Sequence, residues 1–144
     1  MEDIHFFTED VAFELTSSET TLQWLTHILD THGGTVENLN FIFCSDEYLL
    51  KVNRDYLDHD YYTDIITFDN REEEEDALDS DIFISIDRVK DNANDLGISF
   101  DRELHRVIIH GILHLLGWND KTEEQKLAMR EKEEACLSLH PNYK

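Results

Sequence analysis

Two histidines four residues apart, His110 and His114, followed six residues later by Asp120, are the residues of this 144-residue chain best arranged for chemistry. Positions i and i+4 of a helix lie one turn apart on the same face, so both imidazoles can reach one ion. They supply two of the three protein ligands of a catalytic zinc centre. Continued helical rotation would carry a third ligand away, but Gly117 can take positive φ and turn the chain back, bringing Asp120 toward the same ion. The alternative, two structural histidines, needs a separate partner for each imidazole. Val107, Ile108, Ile109, Ile112, Leu113, Leu115 and Leu116 make this helix apolar nearly all round, so it is expected to be a buried central helix. An unsatisfied buried polar group costs about 1–3 kcal/mol, and one shared ion satisfies both rings.

The zinc-peptidase pattern H-E-x-x-H carries its general base directly after the first histidine. Here that position is Gly111, so the helical geometry is kept without the group that peptide hydrolysis needs. His105 is off the ligand face, and His5, His27, His32, His59 and His140 have no ligand-like spacing. All six read as structural or surface residues.

A buried helix needs layers to bury it, and the rest of the sequence alternates strand and helix signals. Ile4-His5-Phe6-Phe7 and Val11-Ala12-Phe13-Glu14-Leu15 read as short strands, and Ser18 as the cap of a helix running to His32 and stopped by Gly33-Gly34. Asn40 to Cys44 is a β run, followed by Ser45 as cap of a helix to about Leu57 with Asp46 and Glu47 in its first turn. Ile65 to Phe68 and Ile82 to Ile86 are strands joined as a hairpin by the acidic run 71–76, which repels itself and reads as a solvated tip. Helices follow from Asp87 to Gly97, from Ser99 to Gly117, and from a Thr122/Gln125 capping box onward. This order predicts an α/β (α+β) fold in one domain over 1–144, a single small mixed sheet packed against helices with the metal motif on the central one.

Charge separates the chain into two parts. Twelve basic and 33 acidic residues give −21, and 22 of the acids but only 3 of the bases lie in 1–81, a balance of −19. Such a surface argues against general polyanion binding, which relies on Lys and Arg. Any RNA contact is therefore expected on the 82–144 side. The first residues have neither a basic nor an apolar leader region, and no apolar run reaches a membrane span, so a cytoplasmic location is expected, with no membrane and no DNA as partners. Cys44 and Cys136 lack metal-type spacing and read as two reduced thiols.

The motif resembles the H-G-x-L-H-L-x-G-y-D-H signature of the YbeY-type rRNA maturation factors, the endoribonuclease YbeY family. His110, Gly111, Leu113, His114, Leu115 and Gly117 match it, with Trp118 at its aromatic position. Asn53 and Tyr56, then Thr63 to Phe68, are similar to the family's L-N-x-x-y-R … T-D-V-L-S-F block. Ser80 to Ser85 is similar to its G-D-I-x-I-S strand, and Met129 with Glu133 or Glu134 to the M … E of its last helix. The likeness runs from about Leu39 to Leu137. It implies a zinc-dependent endoribonuclease acting on single-stranded RNA, in maturation of the 16S rRNA 3′ end and ribosome quality control. One zinc ion per chain would sit on His110, His114 and Asp120, with a water on that ion as the attacking group. Asn53 and Thr63 would hydrogen-bond the substrate, and Arg106 and Lys121, the bases beside the motif, would bind it as well. Ribosomal RNA is the implied partner, joined by basic ribosomal proteins or an assembly GTPase.

Two positions depart from the family pattern. Asp120 stands where the family has its third histidine, which lowers the positive charge of the site by one. Leu57 stands where the family has an arginine; Arg54, three residues earlier, could share that helix face, or be a surface charge among acids. Two further function classes follow. One is a ribosome-assembly partner that binds basic ribosomal proteins and carries a structural metal. The other, a zinc peptidase or amidohydrolase, lacks an identifiable base.

Overall fold

The computed structural model describes residues 3–15 and 18–143. Its elements are β1 (Ile4–Thr8), α1 (Ser18–Thr31), β2 (Val36–Cys44), α2 (Asp46–Leu57), β3 (Ile65–Asp69), β4 (Leu78–Ser85), α3 (Ile86–Leu96), α4 (Phe100–Leu115) and α5 (Glu123–Leu137), with a 3-10 turn at Pro141–Tyr143. One sheet has the order β1-β2-β4-β3. β1 and β4 run parallel to β2, and β3 pairs antiparallel with β4 in the expected hairpin, Ile65 opposite Ile84 and Asp69 opposite Ser80. The fold is α+β with a mixed sheet.

Side-chain alternation divides the sheet into two faces. Leu39, Phe41 and Phe43 of β2 and Leu78, Ile82 and Ile84 of β4 face a large core with α1, α4 and α5. On the other face α2 covers a smaller cluster of Cys44, Leu49, Val52 and Ile66, flanked by Tyr48, Phe68 and Phe83. Within α4, Leu104, Val107, Ile108, Ile109, Ile112 and Leu113 are buried on all sides. Each contributes roughly 1.5–3 kcal/mol by leaving water, so α4 is the central helix that its composition demanded.

The caps follow local chemistry. Ser45, Ser85, Ser99 and Thr122 each accept from a backbone N–H of the following turn, and Thr122 and Gln125 form the capping box. Ser18 lies inside α1; the two residues ahead of it are outside the described part.

Two expectations need correction. Residues 11–15 are not a strand: the chain turns off the sheet after Thr8, with Val11 N–H donating to the Glu9 carbonyl. The alternation there serves cover packing, for Phe13 lies edge-on against Phe43 and Phe100. The acidic hairpin tip is not wholly solvated either. Its leading residue, Arg71, has a side chain only 9% exposed, paired with Asp69 and donating to the carbonyls of Glu74 and Leu115. One guanidinium thus fastens the tip to the C-terminal end of α4, while Glu72 to Asp76 remain exposed.

Behind α4, His105, His140, Trp24 and Tyr143 form an aromatic cluster. His105 donates from Nδ1 to the Asp101 carbonyl at 2.7 Å, its Nε2 lies 2.8 Å from the Thr21 hydroxyl, and burial lowers its pKa, favouring the neutral ring. His140 is fully buried, and its Nε2 has no hydrogen-bond partner. Burial, then the neighbouring His105, push its pKa from 6.5 down to about 4. The folded state therefore binds fewer protons than the unfolded chain in this interval. The stability it contributes is complete above 6.5 and is lost as pH falls toward 4. In urea titrations, His140→Phe is expected to lose about 2–3 kcal/mol less stability than the wild type between pH 7 and 4.5; equal losses would show that His140 does not control this interval.

Candidate metal centre

Helix α4 ends in a turn built for its sequence. Trp118 N–H donates to the Leu113 carbonyl and Gly117 N–H to the His114 carbonyl, with Gly117 at φ 101°. This Schellman arrangement requires a left-handed residue at the position glycine occupies. The reversed chain brings Asp120 back over the last turn of α4. Its Oδ2 lies 3.3 Å from Nε2 of both His110 and His114, and the two Nε2 atoms are 3.0 Å apart. The triad expected from spacing is thus assembled, partly buried, with its three possible ligand atoms within 4.8 Å of one another.

The donor set suits a divalent ion such as zinc. Tetrahedral bonds of about 2.0–2.1 Å give ligand-to-ligand edges of about 3.3–3.4 Å, close to this triangle. The proton positions agree as well. His110 Nδ1 lies 2.5 Å from Glu133 Oε2, and since a carboxylate can only accept, Nδ1 carries the hydrogen, which would leave Nε2 as the ligand atom for a bound ion.

Glu133 belongs to a line of charges running into the core. Its second oxygen accepts from Arg106 at 3.0 Å, and Arg106 makes a two-pronged pair with Glu103. Glu103 and Glu133 are 0% and 2% exposed. Burial alone would lower the His110 pKa, but the Glu133 hydrogen bond and charge, with Asp120 and Asp64, raise it overall. Burial would raise Glu133, yet His110 and Arg106 hold it below the usual carboxylate range. Asp64, at the start of β3, accepts from Asn92 at 3.1 Å; burial raises its pKa against the opposing charges of Arg106 and His110.

The Gly111 position shows why this helix carries no general base. A Cβ there would lie 2.9 Å from Ile65 Cδ1 and 3.5 Å from Thr67 Oγ1 and Ile82 Cγ2. The helix presses against β3 and β4 at this residue, and a larger side chain there would have to displace Ile65 and pack against Thr67 and Ile82.

The other sequence-predicted residues are dispersed. Asn53 is 1% exposed and donates its amide to the Tyr61 carbonyl at 2.9 Å, so the group expected to reach a substrate instead ties the loop after α2 to the helix. Arg54 is exposed and already paired with Asp60 at 2.5 Å. Thr63 donates to the Ile65 carbonyl at 3.4 Å. Arg106, expected to face a substrate, is enclosed between Glu103 and Glu133, because a buried guanidinium needs buried acids. Lys121 is exposed next to Asp120, and Lys132 stands over the Trp118 ring at 5.7 Å.

Sequence reasoning left Glu133 without a role and missed Glu103 and Lys132. A signal for Glu133 was present: it occupies the apolar stripe Met129, Glu133, Cys136, Leu137 of α5, where an acid is out of place unless partnered.

Fold and triad together define an α+β protein with one mixed sheet and a candidate metal-binding triad on its buried helix and the turn that follows it. The family model for Endoribonuclease YbeY matches residues 3–140, and the chain belongs to that family. Among its relatives named Endoribonuclease YbeY, that of Cytophaga hutchinsonii is 54% identical over 138 residues, covering 96% of both chains. That of Porphyromonas gingivalis is 44% identical over 139 residues, covering 96% of this chain and 91% of the relative. The solution structure of TM1509 from Thermotoga maritima superposes with a TM-score of 0.67 at 26% identity, covering 94% of this chain and 87% of that one.

Partners that orient a ligating histidine typically account for 10–100-fold in metal affinity. Glu133→Gln should therefore weaken zinc binding by that factor in a chelator competition assay, with the far-ultraviolet circular dichroism unchanged. Affinity equal to the wild type would remove Glu133 from the site.

Proposed function

We propose that the chain, acting as one domain over 1–144, is a zinc-dependent endoribonuclease that cuts single-stranded RNA in the maturation of the 16S rRNA 3′ end and in ribosome quality control. The observation that carries this reading is the convergence of His110, His114 and Asp120 on one point, in a member of the endoribonuclease YbeY family. These three residues would hold one zinc ion. When bound, that ion supplies a Lewis acid that polarises a phosphodiester and stabilises its developing negative charge.

The chain's own residues do the positioning. Glu133 fixes the His110 ring, and Arg106 with Glu103 fixes Glu133. Lys121, next to Asp120 in sequence, and Lys132, over the Trp118 ring, are the cations proposed to meet phosphate oxygens, since Arg106 is enclosed and Arg54 is paired. The peptidase reading loses support at Gly111, which supplies no general base and packs closely against Ile65. The assembly-partner reading is not favoured by relatives named for endoribonuclease activity. No helix among the described residues is long and apolar enough to cross a membrane. A cytoplasmic location with ribosomal RNA as substrate, alongside basic ribosomal proteins or an assembly GTPase, completes the proposal.

Two measurements test it. His114→Ala should lose at least tenfold in bound zinc and at least a hundredfold in cleavage of an RNA spanning the 16S 3′ end, and zinc added back to metal-stripped wild type should restore cleavage. Unchanged metal content and cleavage in His114→Ala would reject the site. Replacing both Lys121 and Lys132 by Ala should flatten the dependence of log affinity on log salt by about 0.7 per lysine, while leaving metal content unaltered; an unchanged slope would place the phosphate contacts elsewhere.

A further inference from the structure

The loop between α2 and β3 carries an aromatic pair that takes no part in either core cluster. Tyr61 is 55% exposed, and its ring stacks on that of the exposed His59, with centroids 5.2 Å apart and planes inclined by 22°. The Tyr61 hydroxyl lies 3.0 Å from His59 Nδ1. Among the described residues no other ring or cation faces Tyr61, so one side of the pair is open to water. Buried Asn53 holds both members in place. Its carbonyl accepts the His59 N–H at 3.1 Å, and its side-chain amide donates to the Tyr61 carbonyl at 2.9 Å. A flat surface already ordered in solution has little freedom left to lose on binding.

Two observations decide what the pair can hold. The first is position. Tyr61 precedes Ile65 by four residues, a span of no more than about 14 Å, and Ile65 Cδ1 would lie 2.9 Å from a Cβ on Gly111, the residue after His110. The loop therefore runs directly to the ligand-bearing helix. The second is charge. Lys51, Arg54 and Arg71, the three bases of residues 1–81, are each paired, with Asp55, Asp60 and Asp69, and the segment carries −19. An RNA strand crossing this surface meets no unpaired cation for its phosphates. Its bases are uncharged, and each has a π face that stacks on an aromatic side chain without help from a basic surface.

We propose that the His59–Tyr61 pair is a base-stacking subsite, on which an unpaired base of the RNA lies against the open face of Tyr61 while the same strand continues to the triad. The two fused rings of a purine cover the tyrosine more fully than the single ring of a pyrimidine, so adenine and guanine are preferred. A duplex keeps its bases paired and stacked on one another and has none to offer, so the subsite favours single strands. The inference takes its substrate from the endoribonuclease reading and adds to it the part of the strand that is held and the residues that hold it.

The test uses the full chain and a tetra-adenosine joined by neutral methylphosphonate linkages, which presents bases without phosphate charge and is not hydrolysed. Saturable NMR shifts are expected at the His59 and Tyr61 rings, with the uridine tetramer at least threefold weaker and an abasic tetramer inert. Tyr61→Ala, which keeps the anchored main-chain carbonyl, should weaken binding at least fivefold, with bound zinc unaltered, whereas Tyr61→Phe, which keeps the ring, should stay within twofold of the wild type. No saturable shift, affinity unmoved by Tyr61→Ala, equal binding of the abasic tetramer, or an arginine-rich peptide shifting these rings in place of the tetramer would each overturn the proposal, the last assigning the pair to a protein partner. Cleavage is read separately: these shifts in a chain that cuts no RNA would reject the endoribonuclease reading alone, and cleavage by a chain that lacks them would reject the subsite alone.

Discussion

An ionisable side chain on a helix buried on every side must be neutralised or partnered where it stands, and much of this architecture follows from that requirement. His110 projects from α4 and is answered by Glu133 on α5; Glu133 by Arg106; Arg106 by Glu103. Each buried charge calls for the next, and the chain of pairs stitches α4 to α5. Breaking such a series at one member strands the remaining charges in low dielectric, which costs more than the pair contributed. The ligand geometry is therefore maintained by the same interactions that hold the helices together.

Close approach does the rest of the positioning. Gly111 brings α4 against β3, so that Ile65 and Thr67 of the edge strand stand next to the turn that carries His110 and His114. The absence of a side chain that excludes peptidase chemistry also allows the sheet to support the metal helix. Arg71 works from another direction, fastening the hairpin between β3 and β4 to the Leu115 carbonyl where the helix ends.

Much of this was legible in the residues. The apolar run 107–116 marked the central helix, the serine and threonine caps marked its neighbours, and the H-x3-H-x5-D spacing with Gly117 marked the triad. Other features were not, for physical reasons. Residues 11–15 alternate like a strand, yet alternation reports only that one side meets apolar surface, and here Phe13 meets Phe43 and Phe100 without a ladder. Arg71 sits in a run of acids that looks fully solvated, and only a carbonyl distant in sequence explains its burial. Arg106, as a base near the motif, and Asn53, through the family likeness, were expected to contact the substrate. Their actual partners, Glu133 and the Tyr61 carbonyl, lie 27 and 8 residues away, beyond what spacing conveys.

The turn at Gly117 also determines which part of the metal site is free to change. His110 and His114 are locked one helical turn apart, and any exchange there would have to fit the packed interior of α4. Asp120 is carried past the helix end on an exposed reversal, where a side chain of different length or charge can be accommodated without repacking the core. The scaffold thus separates a fixed pair of ligands from one adjustable ligand, and the electronic character of the site can drift at residue 120 while the fold stays the same. The carboxylate of Asp120 is one setting of that adjustable position.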